Sequence, residues 1–256
     1  MLNFSRIIPL FLIAIGSLFG EIIETKHFNE VLNHLQPNTL VIYDIDNTLI
    51  EMNQLLGSDH WFYFRLKSKI ASGNDERLAL EETLNEWEAI QHLSGCKLVE
   101  ASTLDVVSET QRRGKVIGLT TRGFALANRA LQLLDSVGLD LSKNAISDKE
   151  MHFMVQNEGT LYRKGVMFSS GRPKGLALKA LLDGLDYHPE HIVFVDDKKS
   201  SLLSVESYCE AEGIPFIGLR YGYMDEKVAS LDPEVAEIQW SHFGKILSDE
   251  EAERLK

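Results

Sequence analysis

The stretch DIDNT at 44 to 48 places Asp44 and Asp46 one residue apart, directly after the apolar run TLVIY. Such a run reads as a buried strand, so both carboxylates fall at its carboxyl end, where open parallel sheets hold their ligands. Two carboxylates in a partly buried crevice repel each other and lose hydration unless a cation lies between them. A hard divalent ion such as Mg²⁺ takes oxygen ligands of this kind, so the pair reads as a metal site. Three further groups fall at comparable places. VIGLTTRG (116 to 123) ends a strand in the hydroxyls of Thr120 and Thr121, followed by Arg122. GRPKG (171 to 175) offers Lys174 at a helix start, and VFVDDKKSS (193 to 201) ends a strand in Asp196 and Asp197. Acid, hydroxyl, ammonium and acid at one sheet edge form a pocket for a phosphoryl group, whose transfer needs a nucleophile, positioning and cations against its oxygens.

These side chains need a scaffold that brings distant segments to one edge. Short apolar runs separated by longer helical patterns predict an α/β fold with a mostly parallel sheet. The expected strands are 39 to 44, 115 to 120, 144 to 147, 191 to 196 and 215 to 220. The runs VIY and IVFV do not alternate, as expected of strands covered on both faces. About seventy residues connect the first two of these strands, where roughly a dozen suffice for a crossover. The excess predicts a helical insertion over about 52 to 100, with Leu78, Leu80, Leu84, Trp87 and Ile90 at helical spacing in its second helix. Trp61, Phe62, Tyr63 and Phe64 read as packing in the first, and His60 just before them as a candidate to reach a substrate. Residues 151 to 171 read as a β-hairpin turning at Asn157, Glu158 and Gly159. A helix follows, with Pro173 in its first turn. The tail from Met224 reads as acidic surface helix, and SDEE at 248 to 251 as a capping box.

With 256 residues, 44% of them hydrophobic, the chain can build one sizeable core and an accessory lobe. Twenty-six basic against 38 acidic residues give a net charge of −12, which repels polyphosphate backbones and argues against nucleic acid as a partner. A small phosphate ester is not excluded, because a local pocket holds it. Residues 1 to 20 carry one cation, Arg6, no acid, and an apolar stretch from Ile7 to Phe19. That is the grammar of a signal peptide cleaved near Gly20, leaving 21 to 256 as the catalytic domain. Export to the periplasm or beyond is therefore expected, with no stable membrane insertion once the leader is removed. An anchor formed by the uncleaved segment is the alternative. In an oxidising compartment Cys96 and Cys209 could pair, or remain two thiols without chemical role.

The order DIDNTL, LTT, a lysine before a helix and VFVDD resembles the haloacid dehalogenase superfamily, in particular its aspartate-nucleophile phosphatases. The resemblance spans about 38 to 222. GSDHWF, LTTRG, YRKGVMFSSGRPKG and VDDKKSSL are similar to the group DUF2608, akin to exported acid phosphatases of that superfamily. It implies a Rossmann-like parallel sheet with a helical cap after the first strand and a β-hairpin before the lysine motif. Asp44 is implied as the nucleophile that forms an aspartyl phosphate, and Asp46 as the acid and base, its carbonyl also binding Mg²⁺. Thr120 is implied as the phosphoryl-binding hydroxyl, with Thr121 as the alternative, and Lys174 as the neutralising cation. Asp197 is implied to complete the Mg²⁺ shell, and Asp196 to bind directly or through water. Arg122 is left open between holding substrate and forming a salt bridge. The implied activity is Mg²⁺-dependent hydrolysis of small phosphate monoesters. The alternatives are a catalytically silent binding or effector protein and a phosphomutase.

Overall fold

The computed structural model describes residues 20–244 and 248–254. The chain runs β1 (Gly20–Thr25), β2 (Thr39–Tyr43) and β3 (Ile50–Met52), then α1 (Asp59–Ala71), α2 (Glu76–Leu93) and β4 (Cys96–Leu98). It continues through α3 (Thr103–Arg113), β5 (Lys115–Thr120), α4 (Ala127–Ser136), β6 (Met151–Val155), β7 (Glu158–Arg163) and β8 (Val166–Phe168). The last third comprises α5 (Lys174–Leu185), β9 (His191–Asp196), α6 (Lys199–Glu212), β10 (Phe216–Tyr221), α7 (Asp225–Ala229), α8 (Pro233–Ser241) and α9 (Asp249–Glu253).

Eight strands form one sheet in the order β1-β10-β9-β2-β5-β8-β7-β6. The first six of that order are mutually parallel; β7 pairs antiparallel with β8, and β6 antiparallel with β7. Every residue of β2 and β9 is buried, because helices cover both faces. Side-chain alternation then assigns neighbours to opposite cores. Val41 and Tyr43 join Val116, Val193 and Val195 on one face, while Leu40 and Ile42 join Ile117, Ile192 and Phe194 on the other. Since β9, β2 and β5 are adjacent and parallel, their carboxyl ends deliver Asp196, Asp44 and Thr120 to one edge.

The insertion is a lobe whose two ends are tied by antiparallel pairing of β3 with β4, Ile50 opposite Leu98 and Met52 opposite Cys96. Ser58 caps α1 by accepting from the Trp61 N–H at 3.2 Å. Asp75 caps α2 by accepting from the N–H groups of Arg77 and Leu78 at 3.1 Å. The expected apolar stripe of α2 is out of phase with the packing in the helix's first half. Leu78, Leu80 and Leu84 are exposed, whereas Ile90 is buried and Trp87 packs in the cap core as expected; Ala79 and Thr83, both small, are buried in the first half of α2 where it meets α1, with Gln91 buried near its end. Trp61, fully buried, packs 6.0 Å from Trp240 of α8, beside Leu56, Ile90 and Ala236. The tail thus covers the cap instead of lying free on the surface. At its end, Ser248 and Glu251 exchange the reciprocal hydrogen bonds of a capping box.

Other elements differ from expectation. Residues 144 to 147 form no strand: Asn144 sits at φ 57°, and its amide donates to the carbonyls of Gln111 and Gly114. The place beside β5 belongs to β8, a strand hidden in the segment read as hairpin. The hairpin itself turns at Gln156 and Asn157, both at positive φ, so Glu158 and Gly159 already belong to β7. Its two residues with φ above zero fit the tight turn that matches strand twist. Pro173 occupies the N-cap of α5, one place before the first turn. β1 was not foreseen and pairs along the outer edge of β10. The expected leader lies outside the described residues except for Gly20, which opens β1. Cys96 and Cys209 are unpaired thiols. Among the described residues no helix is long and apolar enough to cross a membrane.

Gly175 fixes where α5 begins. A Cβ there would lie 2.0 Å from the Ser204 carbonyl oxygen of α6, and its N–H donates to Ser204 Oγ at 3.0 Å. Gly175→Ala should therefore push α5 off α6 and destabilise the fold by about 2 kcal/mol. A thermal melt should show a loss of several degrees; an unchanged Tm would mean that the contact is soft.

Candidate active site at the sheet edge

Asp44 follows β2, and its N–H donates to the Val195 carbonyl at 2.9 Å, fixing it beside the end of β9. Lys174, the first residue of α5 and 3% exposed, reaches both carboxylates. Its Nζ donates to Asp44 Oδ1 at 2.5 Å and to Asp196 Oδ2 at 2.6 Å. Burial alone would lower the lysine's pKa, but the charges and hydrogen bonds of Asp196 and Asp44 outweigh it and raise it, so the ammonium persists. The opposite holds for Asp44. Burial pushes its carboxyl up to about 7, with Lys174 pulling against this and Asp196 and Asp46 adding to it.

Asp196, Asp197 and Asp44 offer carboxylate oxygens within 4.8 Å of one another. Asp197 Oδ2 accepts from Asn47 Nδ2 at 3.3 Å, but its Oδ1 is buried with no partner among the described residues. Burial and the neighbouring Asp44 and Asp196 charges hold the Asp197 carboxyl well above its usual range, Lys198 notwithstanding. Three oxygen donors with a single ammonium among them and one orphaned acceptor fit a hard divalent cation such as Mg²⁺, which these residues can hold. The Asp46 side chain stands apart from that cluster. Arg122 grips it bidentately, Nε to Oδ2 at 2.8 Å and Nη2 to Oδ1 at 2.7 Å. Burial favours the neutral acid, yet the Arg122 charge and hydrogen bonds win and depress the Asp46 pKa.

Arg122, 3% exposed, thus forms a salt bridge, with the Trp87 ring of α2 5.0 Å from its guanidinium carbon and its Nη1 without a partner among the described residues. Thr120 is buried at the end of β5, and its Oγ1 accepts from the Arg122 N–H at 3.2 Å, leaving its proton for another acceptor. Thr121 is exposed, and its carbonyl accepts from Gly171. Two contacts were not anticipated from sequence. Asn47, at φ 60°, steadies Asp197 from the loop after β2; an asparagine in a loop that needs a left-handed residue was the available signal. Lys198 bonds Asp196 through its N–H at 2.7 Å. Its Nζ reaches Asp59 of the cap at 2.7 Å and lies 4.9 Å from the Tyr63 ring centroid.

The profile of the family described as "Protein of unknown function (DUF2608)" matches residues 24–253. A Chlamydia pneumoniae protein named as a candidate outer-membrane protein is 28% identical over 263 residues, covering 97% of this chain and 94% of its own length. A second relative, from Chlamydia muridarum and similarly named, is 27% identical over 235 residues, covering 90% and 88%. Among solved structures, a haloacid dehalogenase-like hydrolase of Streptococcus pneumoniae is similar at a TM-score of 0.43 and 14% identity, covering 70% of this chain and 93% of its own. A candidate phosphoglycolate phosphatase of Lactobacillus plantarum is similar at a TM-score of 0.46 and 10% identity, covering 77% and 93%.

If the three-carboxylate cluster takes Mg²⁺, saturating ion should stabilise the wild-type chain by about 3 kcal/mol at a hundredfold excess over Kd. This corresponds to a Tm rise of about 5–10 °C, reversed by chelation. Asp197→Asn should melt no lower than the metal-free wild type, since it relieves repulsion, yet lose the response. An equal rise in both proteins would exclude Asp197 as a ligand.

Proposed function

Because the chain belongs to the DUF2608 family, a grouping defined by sequence, we propose its function from the site: Mg²⁺-dependent hydrolysis of small phosphate monoesters through an aspartyl phosphate. The observation that carries this is the buried Lys174 ammonium held between Asp44 and Asp196, with Asp197 in the same cluster and Thr120 ending the adjacent parallel strand β5. That is a cradle of cation, donor and oxygen ligands for a tetrahedral anion. Asp44 Oδ1 is engaged by Lys174, and Oδ2 is the atom that attacks phosphorus. As that bond forms, the ester P–O bond breaks, and its electron pair leaves on the ester oxygen, which takes from Asp46 the proton that this carboxylate picks up from solvent once the bound ester has loosened the Arg122 fork. Water then attacks the phosphorus of the aspartyl phosphate and gives a proton to Asp46. The P–O bond to Asp44 breaks, releasing phosphate. Lys174 and the Thr120 hydroxyl meet the phosphoryl oxygens, with Thr121 too exposed to share that role. Mg²⁺ held by Asp44, Asp196 and Asp197, together with the Asp46 carbonyl that the family resemblance implies, would supply further neutralisation of those oxygens.

The Arg122 fork keeps Asp46 ionised at rest, the form suited to accepting a proton from water. It is also the feature that favours a second reading, a phosphoryl-binding protein without turnover, because a clamped carboxylate cannot protonate a leaving alcohol. We assign the activity to an exported protein. The leader pattern of 1 to 20 and the outer-membrane names of the Chlamydia relatives support that placement.

Hydrolysis of p-nitrophenyl phosphate with and without Mg²⁺ separates the readings. Wild-type turnover that requires Mg²⁺ supports the enzyme; metal and phosphate binding without turnover of any ester in a broad panel supports the binder. Asp44→Asn should abolish turnover while the fold survives, and residual wild-type rates would remove the covalent route. Lys174→Ala should lower kcat about a hundredfold or more, the scale of one lost preorganised charge stabiliser; an unaffected kcat would reassign the lysine.

A further inference from the structure

Between the sheet edge and the cap lies a cavity of about 260 Å³, with Asp46 in its wall. That is slightly below the roughly 300–1,000 Å³ of sites for drug-sized ligands, so its occupant is compact. The lining joins segments far apart in sequence, among them Glu51, Asn53, Asp59 and His60 of the cap region, Lys227 of α7 and Gln239 of α8. Its charges are matched. Lys227 bonds Glu51, Arg122 holds Asp46, and Lys198 holds Asp59. No unpaired charge is left in this set to recognise a second anionic group on a ligand, and an apolar chain would desolvate these polar groups without replacing their hydrogen bonds.

His60 is the anomaly. It is 9% exposed, and neither ring nitrogen has a hydrogen-bond partner among the described residues. A buried polar group left unpaired costs about 1–3 kcal/mol, so an imidazole with both nitrogens unengaged at a cavity wall points to a ligand. Burial drives its pKa down, with Lys227 adding to this and Asp59 and Glu51 opposing. This favours the neutral ring, which carries one donor and one acceptor nitrogen. Gln239 Oε1 accepts from the Leu56 N–H at 2.9 Å, leaving its amide N–H groups to the cavity. Asn53 adds a second side-chain amide.

We propose that this cavity takes the leaving group of the ester, and that the leaving group is a compact, uncharged, polyhydroxylated alcohol, a small sugar or polyol, with His60 donating to one hydroxyl and accepting from another. The proposal rests on the phosphatase reading for its placement beside Asp46. A paired donor and acceptor suit a hydroxyl, which is both, and sites built to bond hydroxyls reject analogues that lack them.

The test compares glucose 6-phosphate and glycerol 3-phosphate with propyl phosphate on the full chain with Mg²⁺. Wild type should prefer the hydroxylated esters by at least about tenfold in kcat/KM. In His60→Phe that preference should collapse to within about threefold, chiefly through KM, and His60→Gln, which keeps a donor and an acceptor, should restore most of it. Equal wild-type rates on all three esters, or a preference indifferent to His60→Phe, would overturn the proposal while leaving phosphatase activity in place. Calorimetric binding of the same esters to Asp44→Asn reads the cavity without turnover. His60-dependent preference there, with no wild-type hydrolysis, would retain the cavity's ligand class and discard the catalytic reading. Neither hydrolysis nor preference would discard both.

Discussion

The Lys174 ammonium, shut in between Asp44 and Asp196, is the interaction on which the site depends. Removing one partner of a buried ion pair leaves an uncompensated charge and costs about 3–5 kcal/mol, so this lysine holds the sheet edge together as well as facing it. Its position is set by backbone. β2 and β9 are adjacent and parallel, which puts Asp44 and Asp196 side by side, and Gly175 lets α5 start close against α6 with Lys174 aimed between them. A single cation does not balance three clustered carboxylates, two of them buried and the third half-buried. The residual repulsion appears as the raised pKa values of Asp44 and Asp197, and it is what makes the cluster receptive to a divalent ion.

The cap is joined to this edge in two different ways. Apolar packing ties it to the tail, through Trp61, Trp240 and Ala236. Charged contacts tie it to the site: Lys198 to Asp59, and the Arg122 guanidinium under the Trp87 ring. Both charged contacts involve residues that also touch the carboxylates, Lys198 through its bond to Asp196 and Arg122 through its fork on Asp46. The position of α1 and α2 is thus coupled to the arrangement of acids below, and cavity shape and site geometry are parts of one construction.

How far the sequence discloses this follows from physical rules. β2, β5 and β9 are legible because strands buried on both faces are written as unbroken apolar runs, and the residues that follow them are then placed at the edge by parallel pairing alone. β1 is obscured because GEIIET is a half-exposed edge strand next to a longer apolar stretch. β8 is only three residues long. The leucines of α2 mislead because spacing sets a face without saying which face closes, and close helix packing here selects Ala79 and Thr83. Composition and order marked the residues that converge on Asp44. They left open what Arg122 holds and did not mark Asn47 or Lys198, since the contacts of these residues with Asp46, Asp197 and Asp196 are made only when loops from separate crossovers meet.

Asp44 and Asp46 show most directly what the fold adds to the motif. The two residues are chemically identical and two positions apart, yet one carboxyl is pushed up to about 7 by burial and neighbouring acids, while the other is held low by a guanidinium. Environments that separate paired acids in this way divide their tasks. On the proposed mechanism Asp44, facing the lysine and the acid cluster, attacks phosphorus where negative charge is neutralised. Asp46, in the cavity wall, would exchange a proton there with the leaving group and then with water. On the proposed mechanism its first task needs a proton that the Arg122 fork opposes, and its second needs the ionised form that the fork favours. An ester seated in the cavity would have to weaken the fork, by desolvating Asp46 or drawing the Arg122–Trp87 pair aside. Selection of the leaving group and delivery of its proton would then be one event at one carboxylate.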